Sequence, residues 1–314
     1  MNKTFANDII EGLTAQDKYL SSKYFYDANG SKIFQEIMHM PEYYLTDSEF
    51  EILSLQPKQI IDTVNFKEPF NIVELGAGDG FKTFKLLEYL VNNDIDFHYV
   101  PIDICQGAMN SLLERLKERL PSLSIHPRVG DYFEVLSKEN LQTNIPSLLL
   151  FLGSNIGNYA KEEAKDLLRL LNQNMKPQDK LLLGMDLKKN PITIQKAYDD
   201  AQNITKRFNL NLLHRINTTF DGDFKIDDFD FYCHYNPTNG EVRSYMVSLR
   251  KQTVVLNKLN KSFNFDYNEL IWTEVSKKYD FEEIEALAKH SNLKVEKHFL
   301  DCKHYFSDVL LVKA

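Results

Sequence analysis

Cysteine is scarce. The 314 residues hold three thiols, Cys105, Cys233 and Cys302, which are far apart and odd in number. That argues against a disulfide framework, and their spacing fits no zinc site, so the expected compartment is a reducing one, the cytoplasm. No apolar run approaches the roughly 18 residues of a membrane span. The opening MNKTFANDIIEGL lacks a basic stretch followed by an apolar one, so no secretory signal is expected. Lysine and arginine number 37 against 45 acids, a net charge of −8, and no cluster of them stands out. A nucleic-acid substrate would call for a basic track to displace phosphate counterions, which demotes that class of function. Eight histidines are scattered without a metal triad, so no metal is expected. Internal repeats and low-complexity tracts are absent too.

What is present is a large apolar complement, 43% of residues, enough for one big domain or two smaller ones. From Phe70 to Leu187, strand-like apolar runs alternate with helical periodicity. This is the signature of an α/β fold, a parallel sheet with crossover helices. The expected strands are Phe70–Leu75, Phe97–Ile104, a weak His126–Val129, Ser147–Leu152 and Leu181–Met185. Met109, Leu112, Leu113, Leu116 and Leu120 mark one amphipathic crossover helix. Residues 1–47 read as helical, with Ser31 as an N-cap. Beyond residue 188 come a helix over 192–208, an Asp-rich loop over 221–230, and β-rich runs over 241–256 and 263–273. A helix carrying Phe281, Ile284 and Leu287 and a last strand, Asp308–Val312, close the chain. An α/β core interrupted by a capping insertion accounts for this order.

Glu74-Leu75-Gly76-Ala77-Gly78-Asp79-Gly80 leaves the first strand and opens a helix. Glycine permits the tight turn and lets backbone approach a ligand that a Cβ would obstruct. Alone, the loop fits a structural turn or any of several nucleotide enzymes. Asp103 ends the second strand, where a carboxylate can accept both hydroxyls of a ribose. Gly130-Asp131-Tyr132 follows the third, where an acid and a ring suit an adenine. Each could be a cap or a loop end by itself; at the ends of three successive strands they describe one adenosine pocket. An NAD enzyme would share Gly76, Gly78 and Asp103. No lysine follows in P-loop spacing, which argues against an ATPase.

Longer strings narrow the choice. Ser22-Lys23-Tyr24-Phe25-Tyr26-Asp27 with Gly30-Ser31, and Pro41-Glu42-Tyr43-Tyr44-Leu45-Thr46, resemble the N-terminal signature of the histidine-specific methyltransferase family. The resemblance continues through Phe151-Leu152-Gly153-Ser154-Asn155-Ile156-Gly157-Asn158, Gly184-Met185-Asp186-Leu187, Ala197-Tyr198-Asp199-Asp200 and Thr273-Glu274-Val275-Ser276. It covers nearly the whole chain, in order. Together with Glu74 two residues before the first glycine, it selects S-adenosylmethionine (SAM) over NAD. It implies a class I, Rossmann-like SAM methyltransferase core, 48–187 plus 278–314, and an α+β substrate domain, 1–47 plus 188–277. It further implies cofactor contacts from Gly76, Lys82, Asp103, Asp131 and Tyr132, with tyrosine where the family usually has phenylalanine. The amino-acid set is Tyr43, Gly153, Asn158, Tyr198, Glu274 and Ser276, with Tyr26 on the amine side.

The reaction so implied is methylation of the α-amino nitrogen of free histidine to the trimethyl betaine hercynine, as in ergothioneine biosynthesis. Such an enzyme places a neutral amine about 3 Å from an already activated methyl, so positioning supplies much of the rate. Asn158, whose amide both donates and accepts, and the tyrosine hydroxyls suit an ammonium-carboxylate head. Asn158 and Tyr26 are therefore the expected catalytic pair. Glu274 and Ser276 alternate by two on a strand and face one way, a carboxylate and a hydroxyl suited to an imidazole. Read without the family, the pair is an exposed strand's polar face. Ser244, where relatives carry a bulkier pair, opens the side-chain pocket and keeps another amino acid such as tryptophan in play. A non-catalytic SAM sensor is the third reading. The expected partner is a small amino acid, with no nucleic acid or membrane, and the chain is expected to be a monomer.

Overall fold

The structure is a computed structural model that describes residues 3–131, 135 and 145–314. Two compact units divide the chain, one of residues 44–188 and 277–314, the other of residues 1–43 and 189–276.

The first unit is built on a sheet of β1 (Phe70–Leu75), β2 (Phe97–Asp103), β3 (Ser124–Ile125), β4 (Arg128–Val129), β5 (Ser147–Phe151), β6 (Lys180–Asp186), β12 (Leu293–Leu300) and β13 (Phe306–Lys313). Its order is β12-β13-β6-β5-β1-β2-β3, with β4 also on β2. The strands β6, β5, β1 and β2 are parallel, and β13 runs antiparallel between β6 and β12. Every residue of β1 and β5 is buried, as expected of strands covered on both faces. Crossover helices supply the cover: Leu86, Leu87 and Leu90 of Thr83–Asn92 and Leu112 and Leu116 of Gln106–Arg119 on one face, Leu167, Leu168 and Leu171 of Lys161–Asn174 on the other. From β1 the chain moves first to β2 and later to β5 on its other side. The ends of β1, β2 and β5 thus form the switch point where such sheets bind ligands. The expected strand 126–129 is instead two short pieces, since Pro127 between them has no N–H for the ladder.

The second unit combines helices Lys3–Thr14, Ala28–Met38, Pro191–Tyr198 and Ile204–Phe220 with strands β7 (Phe229–Asn236), β8 (Glu241–Ser248), β9 (Gln252–Leu256), β10 (Lys261–Phe265) and β11 (Leu270–Lys277). Three form the sheet β11-β8-β7, and β9 and β10 a separate ribbon. Two local expectations fail here for identifiable reasons. Asp27, not Ser31, caps the helix Ala28–Met38, because its carboxylate accepts from Gly30 N at 2.7 Å. The helix expected over 192–208 is two helices. Asp200 accepts from Ile204 N and Thr205 N, both at 2.8 Å, and starts the second one afresh. The exposed edge strand β7 is covered by a side chain: Gln195 donates to Cys233 O (3.2 Å) and accepts from Tyr235 N (2.9 Å). No helix among the described residues is long and apolar enough to cross a membrane.

Candidate functional site

The core unit's portion begins at the glycine loop. Gly76 and Gly78 adopt φ of 73° and 56°, values that side-chain-bearing residues rarely take. Gly76 N and Ala77 N both donate to Ile102 O, at 2.8 and 3.1 Å, which hangs the loop on the end of β2. There Asp103 accepts from Gly78 N through Oδ2 and from Cys105 N through Oδ1, each at 2.8 Å. Its carboxylate is thereby fixed, with a lone pair left on each oxygen for a ribose diol. A Cβ on Gly78 would meet nothing within 4 Å, so the loop borders open space. These residues fit an adenosine-bearing cofactor. Asp131 is exposed, and the preceding Gly130 N donates to Asp103 O at 2.9 Å, which joins the two acidic loops. Tyr132 lies outside the described residues.

Glu74 has a different task. It is buried, and it accepts from Thr83 Oγ1 and Tyr99 OH, tying β1 to β2 and to the first turn of the helix after the loop. Burial pushes its carboxyl up to about 7, against the opposing bonds from Thr83 and Tyr99.

At the end of β5, Gly153 and Ser154 take φ of 76° and 56° in succession, the second a left-handed non-glycine of the kind that collects at functional loops. Ser154 Oγ holds this shape by accepting from Asp186 N (3.0 Å), and Ser154 O accepts from Gly157 N (2.9 Å). A 3-10 turn, Asn155–Asn158, follows, and Asn158 ends it half-buried. The Asn155 amide donates to Leu152 O (2.9 Å), and its nitrogen would lie 3.7 and 3.6 Å from a Cβ on Gly76 and on Gly153. Lys82 comes equally close to Gly153, 3.5 Å from its would-be Cβ, and pairs with the fully buried Glu49. Gly76, Lys82 and Gly153 are therefore brought together, around an Asn155 that sequence reading passed over in favour of Asn158. Glu49 and the buried ion pair Lys278–Asp186 (2.8 Å), to which Tyr44 OH adds a bond at 2.9 Å, were missed as well. A lone charged residue in a helical or strand pattern gives no signal of burial.

In the other unit, Tyr198 OH bonds Ser276 Oγ at 2.9 Å, and the Tyr198 ring meets Tyr43 edge-on at 6.2 Å. Phe34 continues the chain of rings from Tyr43 (6.4 Å) to Tyr26 (5.4 Å), which is 37% exposed. Glu274 is half-buried, two positions before Ser276 on β11. Three of the expected amino-acid residues, Tyr43, Tyr198 and Ser276, thus form one contiguous corner. Ser244 is buried on β8, where its carbonyl and the Asn209 amide oxygen share the proton of Thr273 Oγ1, at 3.0 and 2.8 Å. Among the described residues no group of His, Cys, Asp and Glu is placed to hold a metal ion.

A parallel sheet with one antiparallel strand inserted beside its edge, a glycine turn after β1 and an anchored acid after β2 define the Rossmann-like SAM-dependent methyltransferases. More narrowly, this chain belongs to the family described as histidine-specific methyltransferase, SAM-dependent, whose profile matches residues 5–313. A histidine N-alpha-methyltransferase of Mycolicibacterium smegmatis (strain ATCC 700084 / mc(2)155) is 33% identical over 291 residues, 91% of this chain and 88% of that one. Ergothioneine biosynthesis protein 1 of Schizosaccharomyces pombe is 27% identical over 88% of this chain and 36% of its own length. The L-tryptophan methyltransferase trpM of Psilocybe serbica is 26% identical over 92% and 89%.

Proposed function

We propose that the chain methylates the α-amino nitrogen of free L-histidine with SAM, yielding the trimethyl betaine of ergothioneine-type biosynthesis. The observation that carries this reading is the corner of Tyr43, Tyr198 and Ser276, with Glu274 next along the same face of β11. SAM supplies an electrophilic methyl, so the chain's own task is to hold an amine in line and keep water out. Asn158 and the tyrosine hydroxyls orient the amine and carboxylate of the amino acid. The amine must be neutral to attack, and an α-amino group titrates near 7.7–8.0 in model peptides, so no strong base is required. The rings of Tyr26, Phe34, Tyr43 and Tyr198 suit a nitrogen that becomes a permanent cation as methyls accumulate, because aromatic faces attract quaternary ammonium groups. Glu274 and Ser276 read the imidazole. In this reading the unit 44–188 plus 277–314 holds the methyl donor, Tyr43, Tyr198, Glu274 and Ser276 of the unit 1–43 plus 189–276 read the amino acid, and the enzyme is a cytoplasmic monomer.

The test is transfer of labelled methyl from SAM to each free amino acid. Histidine should be the preferred acceptor. Glu274→Ala should weaken histidine selectively, because a buried N–H that loses its acceptor costs about 1–3 kcal/mol. Equal loss for every amino acid would sink the assignment of Glu274. A second reading keeps the chemistry and changes the side chain: Ser244, small and buried, favours a bulkier acceptor such as tryptophan. Preference for tryptophan over histidine in the same assay would establish it.

A further inference from the structure

Glu49, on the helix Tyr44–Leu55, is fully buried and carries no role in the site as read so far. A carboxylate survives at such depth only when donors surround it. Two do: Gly153 N donates to Oε1 at 2.7 Å and Lys82 Nζ donates to Oε2, while the Asp308 carboxyl lies close by on β13. Room for this is made on purpose: a Cβ on Gly184, the residue paired with Asp308 across β6 and β13, would sit 2.3 Å from Oε1. Both Asp308 oxygens are buried with no hydrogen-bond partner among the described residues. Burial first, then the charge of Glu49, holds the Asp308 carboxyl well above the usual range.

The two groups that Glu49 grips lie beside Asn155: Lys82 Nζ and Asn155 Nδ2 stand 3.5 and 3.6 Å from a would-be Cβ on Gly153. The Lys82 side chain remains 20% exposed, and of the three donors an ammonium carries, one goes to the buried carboxylate. An unpaired lysine would swing among rotamers, and the Gly153 peptide, in its left-handed conformation, would have no partner fixing its N–H.

We propose that Glu49 is a positioning residue for the methyl donor: one oxygen of its buried carboxylate fixes the Lys82 ammonium, while the other holds the Gly153 peptide. The proposal rests on the reading of Lys82 as a donor contact. It predicts that Glu49 acts through Lys82, a coupling that a merely structural ion pair does not require.

Calorimetry of SAM on the full chain, with histidine binding measured separately at saturating demethylated cofactor, tests it. Glu49→Gln and Lys82→Met should each raise the Kd for SAM by about tenfold or more, with histidine affinity within about twofold. The double variant should bind SAM no more weakly than Lys82→Met, because the two losses are one loss. If Glu49→Gln leaves a lysine too poorly paired to fold, the double variant, with both charges removed, gives the same comparison. Additive losses, or normal SAM binding by Glu49→Gln while Lys82→Met is weakened, would overturn the proposal alone. If neither variant weakens SAM, the donor contact of Lys82 falls and the proposal with it. Wild-type protein that binds SAM but leaves histidine unmethylated defeats only the substrate assignment, since the SAM arm still decides the role of Glu49.

Discussion

In the unit of residues 44–188 and 277–314, the buried polar groups include Glu49, Glu74, Asp179, Asp186, Lys278, Asp301 and Asp308, each at most 3% exposed. In the unit of residues 1–43 and 189–276, the buried charged side chain among the described residues is Asp200, and the rest are amides and hydroxyls such as Asn209, Asn211, Ser244, Thr273 and Ser276. Asp179 and Asp301 cap turns with backbone N–H donors at 2.7–2.8 Å, as ordinary loops do. The other five gather in pairs and clusters at Glu49–Asp308, Glu74 and Asp186–Lys278. Charges at that depth are tolerated only where rigid neighbours satisfy them, and then they hold the backbone in one geometry. Hydroxyls and amides cost less to bury and can exchange donor for acceptor. The contrast fits the proposed division of labour, in which one unit grips an invariant cofactor through fixed backbone and the other reads a zwitterion and its side chain.

The contrast breaks most visibly at Lys278. Lys278→Met leaves the fully buried Asp186 without its cation and should cost about 3–5 kcal/mol in urea denaturation. Ser276→Ala in the other unit, which removes one bond to Tyr198, should cost about 1 kcal/mol. Comparable losses for the two would mean that the core charges are not the more demanding set. Adding Asp186→Asn to Lys278→Met should recover most of the stability, because no unpaired charge then remains.

A second, smaller effect comes from Glu74. Its carboxyl titrates near 4.5 in an unfolded chain and is raised to about 7 in the folded one, by burial above all. The folded state therefore binds the proton more tightly. The stability linked to it is full below pH 4.5 and is lost as pH rises through about 7. Glu74→Gln should flatten that loss, on the order of 2 kcal/mol between pH 5 and 8, measured as the change in denaturation midpoint. Parallel pH profiles of wild type and variant would show that Glu74 is ionised without penalty.

The same contrast explains what could be read from sequence. The buried parallel strands are unbroken apolar runs, and Phe70–Leu75 and Ser147–Phe151 are legible to within a residue. Gly76 and Asp103 are legible because a turn and a strand end each demand a residue type, whereas Gly153 came only with the family resemblance. β12 was not, since Lys294, Glu296 and Lys297 interleave its apolar positions and a register shift between Val295 and Lys297 breaks the alternation. β7 was hidden in the same way, behind an Asp-rich approach and a polar edge later covered by Gln195. Of the site, the family strings carried Lys82, Tyr43, Tyr198 and Ser276, but Glu49 and Asp308 look like any helix and strand residue until Gly184 and Gly153 are seen beside them. Burial of a charge is a tertiary fact.

Asp200, the buried carboxylate of the other unit, sharpens the comparison from its opposite side. Burial alone would raise its pKa, but N–H donors from Thr205 and Ile204 outweigh that and hold it below the ordinary value of 3.8. Here the anion is what the fold binds. Its contribution is present above the unfolded value and disappears as pH falls through the lowered one, the reverse of Glu74. Asp200→Ala exposes two unpaired donors at the start of the helix Ile204–Phe220 and should cost about 1–2 kcal/mol at pH 7, with the difference from wild type shrinking below pH 4. Asp200→Asn, with one acceptor oxygen and no charge, should fall between them. Because this helix also carries Asn209, which holds Thr273 beside Ser244, a loss confined to stability would mark Asp200 as a cap alone. A parallel drop in histidine affinity would show that the helix start sets the corner where the side chain is read.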